Sequence, residues 1–189
     1  MPTRHLRKAW SIAAAILLTA VTAPTAAPAS HTGDGGGPLV LMACAGTVAA
    51  TYTPGLTYVP KPTAVSSQAE VGCPVSAGSR LTRATFGGSS SGTLSCLLGP
   101  ASGTLTFHWD KGKTSTAAIR SVVAARPNGN VVTASTGRIT SGVFTGALVV
   151  TEVTLLASGL TDCLTPKGLS SASGPTTVTI TRAGAPGAA

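Results

Sequence analysis

The chain has 189 residues, a formal net charge of +8, and only 10% charged and 4% aromatic residues. That length suits a single domain with flexible ends. Few aromatics and no basic run exclude a nucleic-acid surface built on base stacking and phosphate neutralisation, and so little charge leaves a surface made mostly of Ser, Thr, Gly and Ala.

Met1 to Trp10 carries Arg4, Arg7 and Lys8, and Ser11 to Ala23 is an uncharged run rich in Ala, Leu and Ile. Ala27-Pro28-Ala29 then places small residues where a signal peptidase reads. This order predicts a secretory signal peptide over Met1–Ala29, its apolar part too short to span a membrane. Cleavage after Ala27 would leave Pro28 first, which peptidases disfavour, so Ala29 is the expected site. Losing three bases lowers the formal charge from +8 to +5. Bases scattered in this way serve solubility first. A weak attraction to an anionic cell-wall polymer or acidic polysaccharide is the second reading. Ser30–Pro38 (SHTGDGGGP) is a flexible leader with nothing to bury. Its glycines lack the preceding strand and the Gly-Lys-Ser/Thr of a phosphate loop.

The body of the chain, Leu39–Arg182, reads as one β-domain, followed by a loose tail, Ala183–Ala189. Leu39 to Cys44 opens a first strand in which Val48, Ala50 and Tyr52 share a face before Thr53-Pro54-Gly55 turns the chain. Leu41-Met42-Ala43-Cys44 also loosely matches a lipoprotein acylation site, but it lies well past the apolar segment such a site normally ends. Pro60, Pro62 and Pro74 predict short or edge strands between Leu56 and Val75. Arg80 to Phe86 is a further strand, and Gly87–Gly92 (GGSSSG) a loop.

The stretch Ser91–Arg126 reads as three strands and organises the rest. Leu94, Cys96 and Leu98 share one face; so do Leu105, Phe107 and Trp109, and then Ala117, Ile119, Val123 and Ala125, with Arg120 and Arg126 opposite. Trp109 is the expected centre of the core. Asp110-Lys111-Gly112 and Pro127-Asn128-Gly129 are the expected turns. Val131–Ser135 and Val143–Leu156 follow as strands around a Gly137–Gly142 turn, the second apolar on both parities up to Val150. Cys163 falls in a loop or short strand and Leu164–Pro175 is turn-rich. In Thr176–Thr181, Val178 and Ile180 share a face. No stretch predicts a helix. Nine or ten short strands in consecutive hairpins predict an all-β antiparallel meander, a barrel or flattened barrel or sandwich.

Cys44, Cys73, Cys96 and Cys163 are an even set in an exported chain, which predicts disulfides. No two have the two-to-four-residue spacing of a structural zinc site. Three pairings are possible, with Cys44–Cys73 and Cys96–Cys163 favoured.

Chemistry is harder to find. His108 is the one histidine of the domain and lies between Phe107 and Trp109, so it faces out if they face in. Asp110 reads as the start of a turn. Gly88-Ser89-Ser90-Ser91-Gly92 matches a nucleophile elbow in form, but no helix follows and no acid lies between Ser90 and His108. Carboxylate pairs could come only from Glu70, Asp110, Glu152 and Asp162. Glu152 interrupts an apolar strand: facing a barrel interior it would be a buried acid, facing out a solvated one. No metal or cofactor is expected, and no exposed aromatic platform for a sugar.

Signal peptide, Cys44-Ala-Gly-Thr, Tyr52-Thr-Pro-Gly-Leu-Thr, Ser91-Gly-Thr-Leu-Ser-Cys96, Gly103-Thr-Leu-Thr-Phe-His-Trp109, Gly137-Arg-Ile-Thr-Ser-Gly-Val-Phe-Thr-Gly-Ala147 and Cys163-Leu-Thr-Pro-Lys-Gly-Leu169 occur in that order. The succession resembles the small secreted β-proteins of unknown function that actinobacteria encode in quantity. The resemblance implies an extracellular all-β domain with two disulfides and no assigned activity. Gly142-Val-Phe-Thr-Gly-Ala147 is also similar to a turn of barrels related to allene oxide cyclase and dirigent proteins, though Ile139-Thr-Ser-Gly142 departs from their fuller glycine pattern, and no functional residue is carried over. Two expectations follow. The first is a secreted non-enzymatic β-domain that binds a partner or serves a structural role at the cell surface. The alternative is a small barrel that holds or transforms an apolar molecule, with Glu152 or His108 as the residues to examine. A solid core around Trp109 and Phe107 would favour the first, a lined cavity the second.

Overall fold

A side-chain period of two gives each strand an inner face to bury. In the computed structural model, described for residues 38–97, 99–125, 131–155 and 157–182, eight antiparallel strands follow one another around a closed barrel. They are β1 (Leu39–Leu56), β2 (Lys61–Ser76), β3 (Arg83–Leu94), β4 (Pro100–Trp109), β5 (Lys113–Ala125), β6 (Val131–Gly142), β7 (Leu148–Leu155) and β8 (Leu169–Arg182), with 3-10 turns at Asp110–Gly112 and Ala157–Leu164. β8 returns to β1, setting Val178 opposite Cys44 and Ala172 opposite Ala50. The expected meander therefore closes as a barrel, leaving no sheet edge. The signal peptide, the leader as far as Gly37, the tail from Ala183 and the Pro127-Asn128-Gly129 turn lie outside the described residues.

Along β3 to β5, Phe86, Leu105, Phe107, Trp109, Ala117 and Ile119 point inward and are buried, while Thr85, Thr104, His108, Ala118 and Arg120 are exposed. Apolar-in and polar-out is the inverse of the alternation of a membrane-spanning barrel. Among the described residues no helix is long and apolar enough to cross a membrane.

One half of the interior is solid. Phe107 is fully buried, 5.0 Å from the Phe86 ring and stacked 5.4 Å from Trp109. Phe144 meets Trp109 edge-on at 5.7 Å. Met42, Ile139, Val149, Val178 and Ile180 fill the same half. The Trp109 indole Nε1 donates to Ser115 Oγ at 2.9 Å, and Ser115 Oγ donates to the Val143 carbonyl at 2.6 Å. A buried aromatic nitrogen and its acceptor are thus both satisfied. Trp109 closes this end of the barrel, and Phe107 takes the central place expected of it.

Both favoured disulfides form, Cys44–Cys73 between β1 and β2 and Cys96–Cys163 between the β3–β4 and β7–β8 connections. Asp110-Lys111-Gly112 is the tight turn expected, with Gly112 at φ 66°. Asp110 also ties this turn to the β2–β3 connection, since its Oδ2 accepts from the Thr82 N–H at 3.0 Å and the Thr82 hydroxyl at 2.7 Å.

Several boundaries differ from expectation, each for a physical reason. β1 runs through Thr53-Pro54-Gly55 to Leu56 and absorbs the bend as a register irregularity. β2 is one strand of 16 residues, not short pieces. Pro62 stands near its start, and Pro74 in a bulge against Ala43–Ala45, where a missing N–H costs no ladder bond. Gly87–Gly92 is the middle of β3 rather than a loop. Leu94 ends that strand, so Ser95 to Leu97 do not continue it, and Leu98 lies outside the described residues, as do the side chains of Val123 and Ala125. β6 continues to Gly142, and Val143–Ala147 forms the turn. Phe144 holds φ 66° there, a conformation uncommon outside glycine, while its ring packs over Trp109. The double-parity apolar run from Val143 thus combines a turn that caps the core with the start of β7. These mergers give eight strands in place of nine or ten.

Candidate functional site

The other half of the interior is built from small residues. Directly opposed across β8, β1, β2 and β3 stand Ala172, Ala50, Ser67 and Gly88. Ser90 faces Gly103, and Gly92 faces Ala101, between β3 and β4. A Cβ at Gly88 would collide with the Thr104 carbonyl and the Leu105 side chain, so only glycine lets β3 coil this tightly against β4. With so little side-chain volume inside, a cavity of about 550 Å³ remains. That lies within the roughly 300–1,000 Å³ typical of small-molecule sites.

Its wall has two characters. Val48, Val65, Phe86, Leu94, Leu105, Ile119, Val153 and Leu169 supply an apolar lining. Ser121, Ser135 and Thr151 lie directly opposite one another on β5, β6 and β7, forming a ladder of hydroxyls, and Thr133, Ser67, Ser90 and Tyr52 also line the space. The hydroxyls of Ser121 and Ser135 are 2.7 Å apart and share a hydrogen bond. The Thr151 hydroxyl has no hydrogen-bond partner among the described residues and opens onto the cavity. Burial pushes the Tyr52 phenol up to about 12, so it is neutral throughout the physiological range.

The end of the barrel beyond the cavity is strapped. Cys96–Cys163 joins connections that leave opposite sides of the ring, and Leu56, Leu94 and Leu169 pack beside it. The Cys96 N–H donates to the Thr57 carbonyl at 2.8 Å, drawing the β1–β2 connection to the same strap. Tyr58, Val59, Leu97 and Leu164 are exposed on these connections.

The residues singled out for chemistry lie elsewhere. His108 on β4 and Glu152 on β7 both face solvent on the outer wall, and neither lines the cavity. Glu70 and Asp162 are exposed as well. Of the elbow-like serines, Ser91 is exposed, Ser90 is half-buried and lines the cavity, and Ser89 borders it while largely exposed. Among the described lining residues there is no His, Asp, Glu, Lys or Arg. No group of three or more His, Cys, Asp or Glu that could hold a metal occurs among the described residues. Outside the barrel, Arg120 and Arg138 flank a shallow groove over Gly137, and Arg138 Nη1 donates to the Gly146 carbonyl at 2.7 Å.

The hydroxyls were missed by a search for motifs, yet they carry a signal. Ser121 has the parity of Ala117 and Ile119, Ser135 that of Ile139, and Thr151 that of Val149 and Val153. A hydroxyl at an inward position among apolar neighbours marks a lining residue. Compared with protein-family models, curated proteins and solved structures, the chain matches none.

Proposed function

We propose that this is an exported, non-catalytic binding barrel that holds one small, largely apolar molecule in the open half of its interior. The cavity carries the reading. A barrel evolved only as a structural block would fill its interior with side chains, as this one does around Phe107. Here the inward positions of four consecutive strands carry Ala, Ser and Gly instead. The lining offers hydroxyls without a neighbouring base or acid, which favours holding a ligand over activating a nucleophile. The signal-like N-terminus and two disulfides support export into an oxidising space.

Titration with the environment-sensitive fluorophore N-phenyl-1-naphthylamine tests this. The expected result is saturable one-to-one binding to the wild type, abolished by Ser90→Phe, which puts a ring into the cavity. Absence of saturable binding, or equal binding to both proteins, would overturn the reading.

A further inference from the structure

We infer that the occupant is a neutral molecule bearing oxygen functions along one edge, read by the Ser121–Ser135–Thr151 ladder; the inference rests on the binding reading above. Adjacent strands lie about 4.8 Å apart, so the three directly opposed residues that carry these hydroxyls span about 10 Å of wall. Each hydroxyl has one proton and two lone pairs. Ser121 and Ser135 satisfy one bond between them and retain a donor and free lone pairs. Thr151, only 3% exposed, has no side-chain partner among the described residues. The free bonding capacity of all three hydroxyls is turned to the cavity, where water or the oxygens of a ligand can take it up. Val48, Val65 and Leu105 give the cavity its apolar body. The ligand that fits both is apolar through most of its volume and carries hydroxyl or carbonyl oxygens on the side facing β5–β7. It is uncharged, because the described lining offers no counter-charge to replace the water an ion would lose.

Pyrene and pyrenemethanol share one fluorescent skeleton and differ by one alcohol, so binding of both to wild type and to the double variant Ser135→Ala/Thr151→Val isolates the ladder. The double variant is expected to bind pyrenemethanol about 3- to 10-fold more weakly, the worth of one net hydrogen bond, and pyrene as well as wild type or better. Unchanged pyrene affinity shows that the variant is folded with its cavity intact. Thr151→Ser, which keeps the hydroxyl, is expected to retain the preference for the alcohol. Equal loss for both probes, or wild-type affinity for the carboxylate pyrenebutyrate matching that for pyrenemethanol, overturns this inference and leaves the binding reading standing. If wild type takes up neither pyrene nor pyrenemethanol, both fall together.

Discussion

The same substitution placed in the two halves of the barrel should change stability in opposite directions. Ala50 lines the cavity between Ser67 and Ala172, and Ala117 is fully buried in the solid half beside Leu105 and Ile139. Ala→Leu adds three carbons. At about 0.8 kcal/mol per buried methylene these stabilise Ala50→Leu by about 2.4 kcal/mol. Ordering the leucine costs about 0.5–1 kcal/mol, which leaves a net gain of about 1.5 kcal/mol. At Ala117 the same atoms have no space, and overpacking destabilises by about 1–3 kcal/mol. Guanidinium unfolding with the disulfides oxidised measures both, the slope serving to check that the exposed surface is unchanged. The midpoint should rise for Ala50→Leu and fall for Ala117→Leu, and Ala50→Leu should also weaken N-phenyl-1-naphthylamine binding. Equal destabilisation by the two would mean that the small residues of β8, β1, β2 and β3 enclose no free volume.

Five further outcomes are expected. Replacing Cys96 and Cys163 by Ala releases a 67-residue separation and should cost about 4.4 kcal/mol on the loop-entropy model, against about 3.6 kcal/mol for the 29-residue separation of Cys44 and Cys73. Stopped-flow release of the fluorophore should quicken only for the Cys96/Cys163 variant, because only that bridge straps the cavity. Ser115→Ala strands the buried Trp109 N–H and should lower stability by about 1–3 kcal/mol in the same unfolding assay. The Tyr52 phenol, raised from 10.0 to about 12, keeps its proton in the native state after an unfolded chain would lose it. Its contribution is therefore whole below pH 10 and is lost between pH 10 and 12, by at most about 3 kcal/mol, and unfolding midpoints of Tyr52→Phe should fall less steeply across that window. Hydrogen bonds from the Thr82 hydroxyl and backbone N–H hold the Asp110 carboxyl below 3.8. That contribution is present above pH 3.8 and lost as pH falls through the lower native value, so Asp110→Asn should flatten the start of acid unfolding followed by circular dichroism.

The fold was legible wherever large side chains alternate. Leu105, Phe107 and Trp109, or Val178 and Ile180, announce their inner face because burial of bulky groups is what fixes strand facing. Of the three possible cysteine pairings, the favoured one is the one that forms. The site was not legible in the same way, since a cavity is written in the absence of side chains. Gly87–Gly92 carries no apolar alternation and reads as a loop, yet closure of the ring imposes strand geometry on it from β2 and β4. Val143 and Phe144 mislead in the opposite direction: their hydrophobicity belongs to a turn that plugs the end of the core. Glu152 stands out in the sequence as a charge among apolar residues, but β7 simply alternates, with Val149, Thr151 and Val153 inside and Glu152 outside. The informative polar residue was its neighbour Thr151.

On the binding reading, one half of the barrel receives a ligand and the other does not. Methyl NMR during saturation with pyrenemethanol addresses it most directly, because each half carries its own reporters. Chemical-shift changes are expected at Val48, Val65, Leu105, Ile119 and Val153, with Ile139, Val149, Val178 and Ile180 unmoved. Shifts confined to exposed Val59, Leu97 and Leu164, or spread evenly through both halves, would contradict it.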